Sequence, residues 1–141
     1  MKYEHEVEIE RTPEDVYAFL ADPENLPKWQ HEVLEVRREN DTQFTEVRTF
    51  IGRRVESTIE VTKAEPGREF AIRAGTGPVH FAVRHVLEPA GEGRTRVRVE
   101  GESEGAGGVF KLGGRLLRRA VQRRAREDFE RLKELLEGER G

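Results

Sequence analysis

From Val109 to Glu137 apolar residues recur in steps of three and four, the period of an α-helix, and no proline interrupts them. The stretch predicts one helix of roughly 40 Å. Such a helix cannot bury its own stripe and needs a broad sheet to lie on. Before it, the period is two. Tyr3, His5, Val7 and Ile9 alternate with Glu4, Glu6, Glu8 and Glu10, which predicts a strand with one wet face. Thr12 and Pro13 then open a short helix carrying Val16, Tyr17, Phe19 and Leu20, and Asp22-Pro23-Glu24 opens a second that carries Leu26 and Trp29.

From Val33 onward the pattern predicts six antiparallel strands: Val33–Arg38, Thr42–Phe50, a strand alternating through Val55, Ser57, Ile59 and Val61, then Phe70–Ala74, Val79–Glu88 and Thr95–Glu102. Turn chemistry separates them at Asn40-Asp41, Gly52, Glu65-Pro66-Gly67, Gly75–Pro78 and Gly91–Gly93, and Gly105–Gly108 leads into the long helix. One domain spanning residues 1–141 is expected. Its architecture is α+β, a curved seven-stranded antiparallel sheet wrapped around the C-terminal helix with two short helices after the first strand. The helical stripe drifts: Val109, Leu116 and Ala120 share one direction, whereas Ala125, Phe129, Leu132 and Leu136 point elsewhere. The first half of the helix is therefore expected to lie over a cavity and the second half to grip the sheet.

Three segments carry a family likeness: Val16–Trp29, Phe50–Arg54 and Leu132–Glu137. With the order of elements, they resemble the START-like (SRPBCC) helix-grip superfamily, and within it the polyketide cyclase/dehydrase and lipid-transport group. The resemblance implies the helix-grip fold and a cavity for an apolar or aromatic small molecule, lipid or polyketide-like. It also implies, as alternatives, a cofactor-free cyclase or dehydratase, or an accessory protein that works through its terminal helix. Two features depart from the pattern. Glu39-Asn40-Asp41 stands where relatives have a Gly-rich stretch, and Gly113-Gly114 interrupts the long helix and suggests a hinge.

Composition narrows the chemistry. Charged residues make up 38% and hydrophobic ones 35%, which suits a small core under a charged skin, and the absence of cysteine removes disulfides, thiolate metal sites and Cys nucleophiles. A net charge of −3 argues against nucleic acid as a partner. With no apolar run of about 18 residues and no signal-like region, a cytoplasmic protein is expected.

Candidate site residues follow from strand parity. A hairpin centred on Gly52 that pairs Phe50 with Val55 and Arg48 with Ser57 turns Phe44, Glu46, Arg48 and Phe50 to the face of Val55, Ser57, Ile59 and Val61. Later strands add Phe70, Phe81, Val83 and His85, the small helices add Trp29, and the long helix adds Leu116 and Ala120. Glu46, Arg48 and His85 stand out on this apolar wall. A buried charge must be paired, so Arg48–Glu46 or Glu46–His85 contact is expected, with Arg48 as the anchor for a ligand's carboxylate, phenol or carbonyl. His85 and Glu46 are the candidates for acid–base work, although a hydrogen-bonded core histidine accounts for His85 more simply. His80 and His85 project to opposite faces and cannot share an ion, so no metal is expected, and the resemblance implies no cofactor. Finally, Lys111, Arg115, Arg118, Arg119, Arg123 and Arg124 precede the first acid of the helix at Glu127, against the helix macrodipole. That layout suggests attraction to anionic ligands or an anionic membrane face, or a solvated basic face relieved by Arg123–Glu127 and Arg124–Asp128 pairs.

Overall fold

The computed structural model describes the backbone of residues 2–50, 52–74, 79–105 and 109–138, and their side chains apart from 79 and 104–114. Strand β1 (Lys2–Ile9) leads to Thr12, whose hydroxyl accepts a hydrogen bond from the Asp15 amide and so caps α1 (Pro13–Leu20). Asp22 repeats the device for a short 3₁₀ turn (Pro23–Asn25), and α2 (Leu26–Trp29) follows directly. Six further strands then run as β2 (Val33–Asn40), β3 (Gln43–Phe50), β4 (Arg53–Glu65), β5 (Glu69–Ala74), β6 (Val79–Pro89) and β7 (Thr95–Gly105). Helix α3 (Val109–Gly138) completes the chain.

The sheet is antiparallel throughout, in the order β1-β7-β6-β5-β4-β3-β2. Consecutive strands are neighbours except where β1 closes onto β7, so the seven strands curve around α3 in the helix-grip arrangement. Asn40 shapes the β2–β3 turn by accepting from the Thr42 amide, and Gly67 takes the positive φ of 74° that the Pro66-Gly67 turn requires. The turn expected at Gly75–Pro78, residues 106–108 of the Gly-rich approach, and Ile51 lie outside the described residues. Across Gly113-Gly114 the backbone is helical.

The core lies between the concave sheet face and the second half of α3. Val7, Ile9, Ile59, Leu87, Val97 and Val99 meet Phe129, Leu132 and Leu136 there, and Val16, Leu20 and Trp29 close one end. Helix α3 packs on β1, β7 and α2. In β4, Ser57 and Ile59 are buried as the alternation requires, while Val55 and Val61 are only half-buried because each borders a hollow.

Candidate functional site

The β3–β4 hairpin fixes the polar part of the site. A two-residue loop pairs Phe50 with Arg53, Arg48 with Val55 and Glu46 with Ser57. The register differs by two residues from the one expected from sequence. Because side chains alternate with period two, a shift of two leaves every residue on its expected face. Glu46, Arg48 and Phe50 thus line an open cavity of about 470 Å³ between the sheet and α3, together with Ser57, Phe81, Val83, His85, Trp29 and Ala120.

Three residues expected there lie elsewhere. Phe44 and Phe70 share the concave face but sit further along their strands, where they line a separate hollow of about 190 Å³ with Tyr17 and Val61. Parity gives the face, not the depth along the sheet. Leu116 is 77% exposed, because it lies roughly half a helical turn from the buried stripe. Leu117 and Val121 line the cavity where Leu116 was expected.

Glu46 is nearly fully buried, and Arg48 answers it twice, Nε to Oε1 at 2.6 Å and Nη2 to Oε2 at 3.2 Å. Arg48 Nη2 also donates to Gln30 Oε1 at 2.8 Å, and the guanidinium lies 5.8 Å from the Phe81 ring centroid. Nη1 has no partner among the described residues, and the accessible quarter of the side chain (26%) opens into the cavity. Burial alone would depress this guanidinium, but the Glu46 carboxylate outweighs it and holds the group charged.

The Glu46–His85 contact does not form. His85 Nδ1 lies 2.9 Å from the Phe70 carbonyl, which can only accept, so the proton sits on Nδ1 and Nε2 keeps its lone pair. Burial pushes its pKa down to about 4, so the ring is neutral, packed at a tilt between Phe70 and Phe129. His80 is exposed on the opposite face, and no group of metal-ligating side chains occurs among the described residues.

Besides Gln30, sequence reasoning missed Asp128 and Tyr3 at this polar end. Asp128 is a carboxylate within the buried stripe of α3; it lines the cavity and accepts from the His31 amide at 3.2 Å. Burial pushes its pKa up to about 6, against the His31 amide and the Arg48 and Arg124 charges that lower it. An acid three residues from Ala125 and four from Leu132 was the available signal. Tyr3 pairs with Gly101, and its ring lies so close that a Cβ at Gly101 would stand 2.1 Å from it. Only glycine permits that approach. The phenol lines the cavity without a hydrogen-bond partner among the described residues, and burial raises its pKa, with Arg48 opposing.

The cavity mouth is tied by Arg124 to Glu32 at 3.0 Å, not by the expected Arg124–Asp128 pair. The expected Arg123–Glu127 pair is likewise absent among the described residues, although both side chains border the cavity. Trp29 forms part of the wall, its ring 5.0 Å from Phe129, and its buried indole nitrogen has no partner among the described residues.

The family of polyketide cyclase / dehydrase and lipid transport proteins matches residues 1–137. No curated protein matches the chain. Among solved structures, a Thermus thermophilus protein is 28% identical with a TM-score of 0.74, covering 98% of this chain and 95% of that one. A START superfamily protein from Mycobacterium smegmatis is 21% identical with a TM-score of 0.74 over 98% and 95% of the two chains. The Zhui aromatase/cyclase from a Streptomyces species is 18% identical with a TM-score of 0.79 over 97% and 93%.

Proposed function

This chain belongs to the polyketide cyclase / dehydrase and lipid transport family, and on that premise we propose that it takes an apolar or aromatic small molecule, of lipid or polyketide type, into the cavity between sheet and α3. The observation that carries the reading is Arg48, a charged group held by Glu46 and Gln30 inside an otherwise largely apolar wall. With Nη1 uncommitted, it orients a ligand by a carboxylate, phenol or carbonyl oxygen while Leu117, Val121, Phe81 and Val83 cover the apolar body.

Two measurements test this. Native mass spectrometry of the purified chain should reveal a co-purified ligand. An apolar fluorescent probe should bind, and Val83→Trp should weaken it at least tenfold by filling the cavity; unchanged affinity in that variant would sink the reading. Arg48→Met should weaken acidic ligands selectively and leave purely apolar ones nearly unaffected.

A second reading, cofactor-free cyclisation or dehydration, is favoured by the company Arg48 keeps. Asp128, with its pKa near 6, is a proton donor close to neutrality, and His85 Nε2 and the Tyr3 hydroxyl border the same cavity. In that reading the protein holds a reactive chain folded, Arg48 stabilises an enolate oxygen, and Asp128 protonates a departing hydroxyl. The aromatase/cyclase that shares the fold supports it. Single-turnover assays on a polyketide-like thioester would decide: bound but unchanged substrate rules it out and leaves the binding role.

A further inference from the structure

Among the described residues, most arginines on the strands are ion-paired, whereas most of those on α3 are not. On the strands, Arg37, Arg73, Arg84, Arg96 and Arg98 each meet a glutamate. On α3, Arg115, Arg118, Arg119, Arg123 and Arg126 are all exposed, and none has an ion-pair partner among the described residues. At 3.6 residues per turn, Arg115, Arg119, Arg123, Arg126 and Leu116 share one arc of about 100°, while Arg118 lies on the side of the stripe. The arc turns away from the buried stripe of Ala125, Phe129 and Leu132. Arg115–Arg119 and Arg119–Arg123 are like-charge neighbours four apart, which disfavours the helix, and the macrodipole disfavours cations in its first half. Stability of the free molecule therefore does not account for the layout.

We infer that the outward face of α3 as far as Arg126 is a docking surface for anionic lipid, with Leu116 inserted and the arginines at the headgroups, while Glu130 and Glu134 keep the rest of that face away from the surface. Leu116 is the feature that selects a bilayer. It is 77% exposed at the edge of the arginine arc, so it can enter the interface while the long arginine side chains reach the headgroups. Of its residues, Arg123 borders the cavity, at the mouth. The remainder of the chain is acidic enough to leave a net charge of −3, so repulsion elsewhere orients this face toward an anionic surface. Leu117, Ala120, Val121 and Arg123 on the same half-helix line the cavity. Docking thus sets the cavity mouth against the lipid boundary, where an apolar ligand can pass without crossing bulk water.

Co-sedimentation of the chain with vesicles tests this, comparing phosphatidylcholine alone with an equal mixture of phosphatidylcholine and phosphatidylglycerol. The chain should bind the mixed vesicles only, and roughly 0.5 M salt should release it. Each arginine at an anionic surface contributes about fivefold to the partition coefficient. Arg115→Gln with Arg119→Gln should therefore weaken binding about 25-fold, and Leu116→Ser a few-fold further. None of these three side chains lines the cavity, so probe binding and the thermal melt should not change, and failure here is distinguishable from failure of the cavity reading. Equal binding to both vesicle types, or variants that bind like wild type, would overturn the inference. Retention on an immobilised acidic polypeptide without vesicle binding would also overturn it and reassign the face to an acidic protein.

Discussion

The two halves of α3 carry apolar residues at the same helical spacing and meet opposite fates. Ala125, Phe129, Leu132 and Leu136 are buried, whereas Leu116 is 77% exposed and Leu117 and Val121 only half-buried. What differs is the surface beneath. The second half lies on β1 and β7 and seals the core, while the first half spans the mouth of a cavity. Burial of a helical stripe is thus decided by the tertiary partner, not by the spacing that predicts the helix. The second half holds the fold; the first is left to the site and to solvent.

Truncation should separate the halves most sharply. Phe129→Ala should cost about 3–5 kcal/mol in chemical denaturation, because the ring packs on Trp29, His5 and His85 and its loss leaves a void none of them fills. A loss below about 1 kcal/mol would mean that the second half is not the anchor.

Asp128 stands at the seam, and its effect should appear in pH dependence. In the folded chain it keeps its proton to about pH 6, against an ordinary value of 3.8. Its stabilising contribution is full below pH 4 and lost as pH rises through 6, by roughly 3 kcal/mol. His85 acts in the opposite sense. Its folded value of about 4 lies below the ordinary 6.5, so stability falls as pH drops from 6.5 toward 4. In wild type the two largely offset. Asp128→Asn should expose a stability that climbs with pH over this window, and His85→Asn, which keeps a donor for the Phe70 carbonyl, one that declines. Parallel profiles for both variants would refute the assignment.

At the mouth, Arg124→Ala removes the tie to Glu32. The pair is part-exposed, so stability should drop by at most about 1 kcal/mol. Probe exchange measured by stopped flow should nonetheless quicken. Smallest of all, Leu116→Ala should move the denaturation midpoint by the equivalent of less than about 0.5 kcal/mol. A larger loss would place Leu116 in a core.

The fold was legible because its signals are local. Period-two runs, the Thr12 and Asp22 caps and the Pro66-Gly67 turn each act within a few residues of chain. Arg48 was legible by parity, which survives a register error of two. Asp128, Tyr3 and Gln30 were not, since the helix, the first strand and the α2–β2 loop meet only after the sheet has curved. The expected Arg124–Asp128 pair failed for a related reason: Glu32 and His31, distant in sequence, offered each residue a better partner.

The loop at residues 30–32 makes three of those long-range contacts in succession: Gln30 to Arg48, the His31 amide to Asp128, and Glu32 to Arg124. A displacement of this tripeptide wide enough to part Glu32 from Arg124 also withdraws the acceptor from Arg48 and the donor from Asp128. Passage through the mouth and grip at the polar end are therefore mechanically linked. In the proposed binding role, a departing ligand would loosen the residues that hold it, so residence time, more than equilibrium affinity, is the quantity that substitutions in this loop should reset.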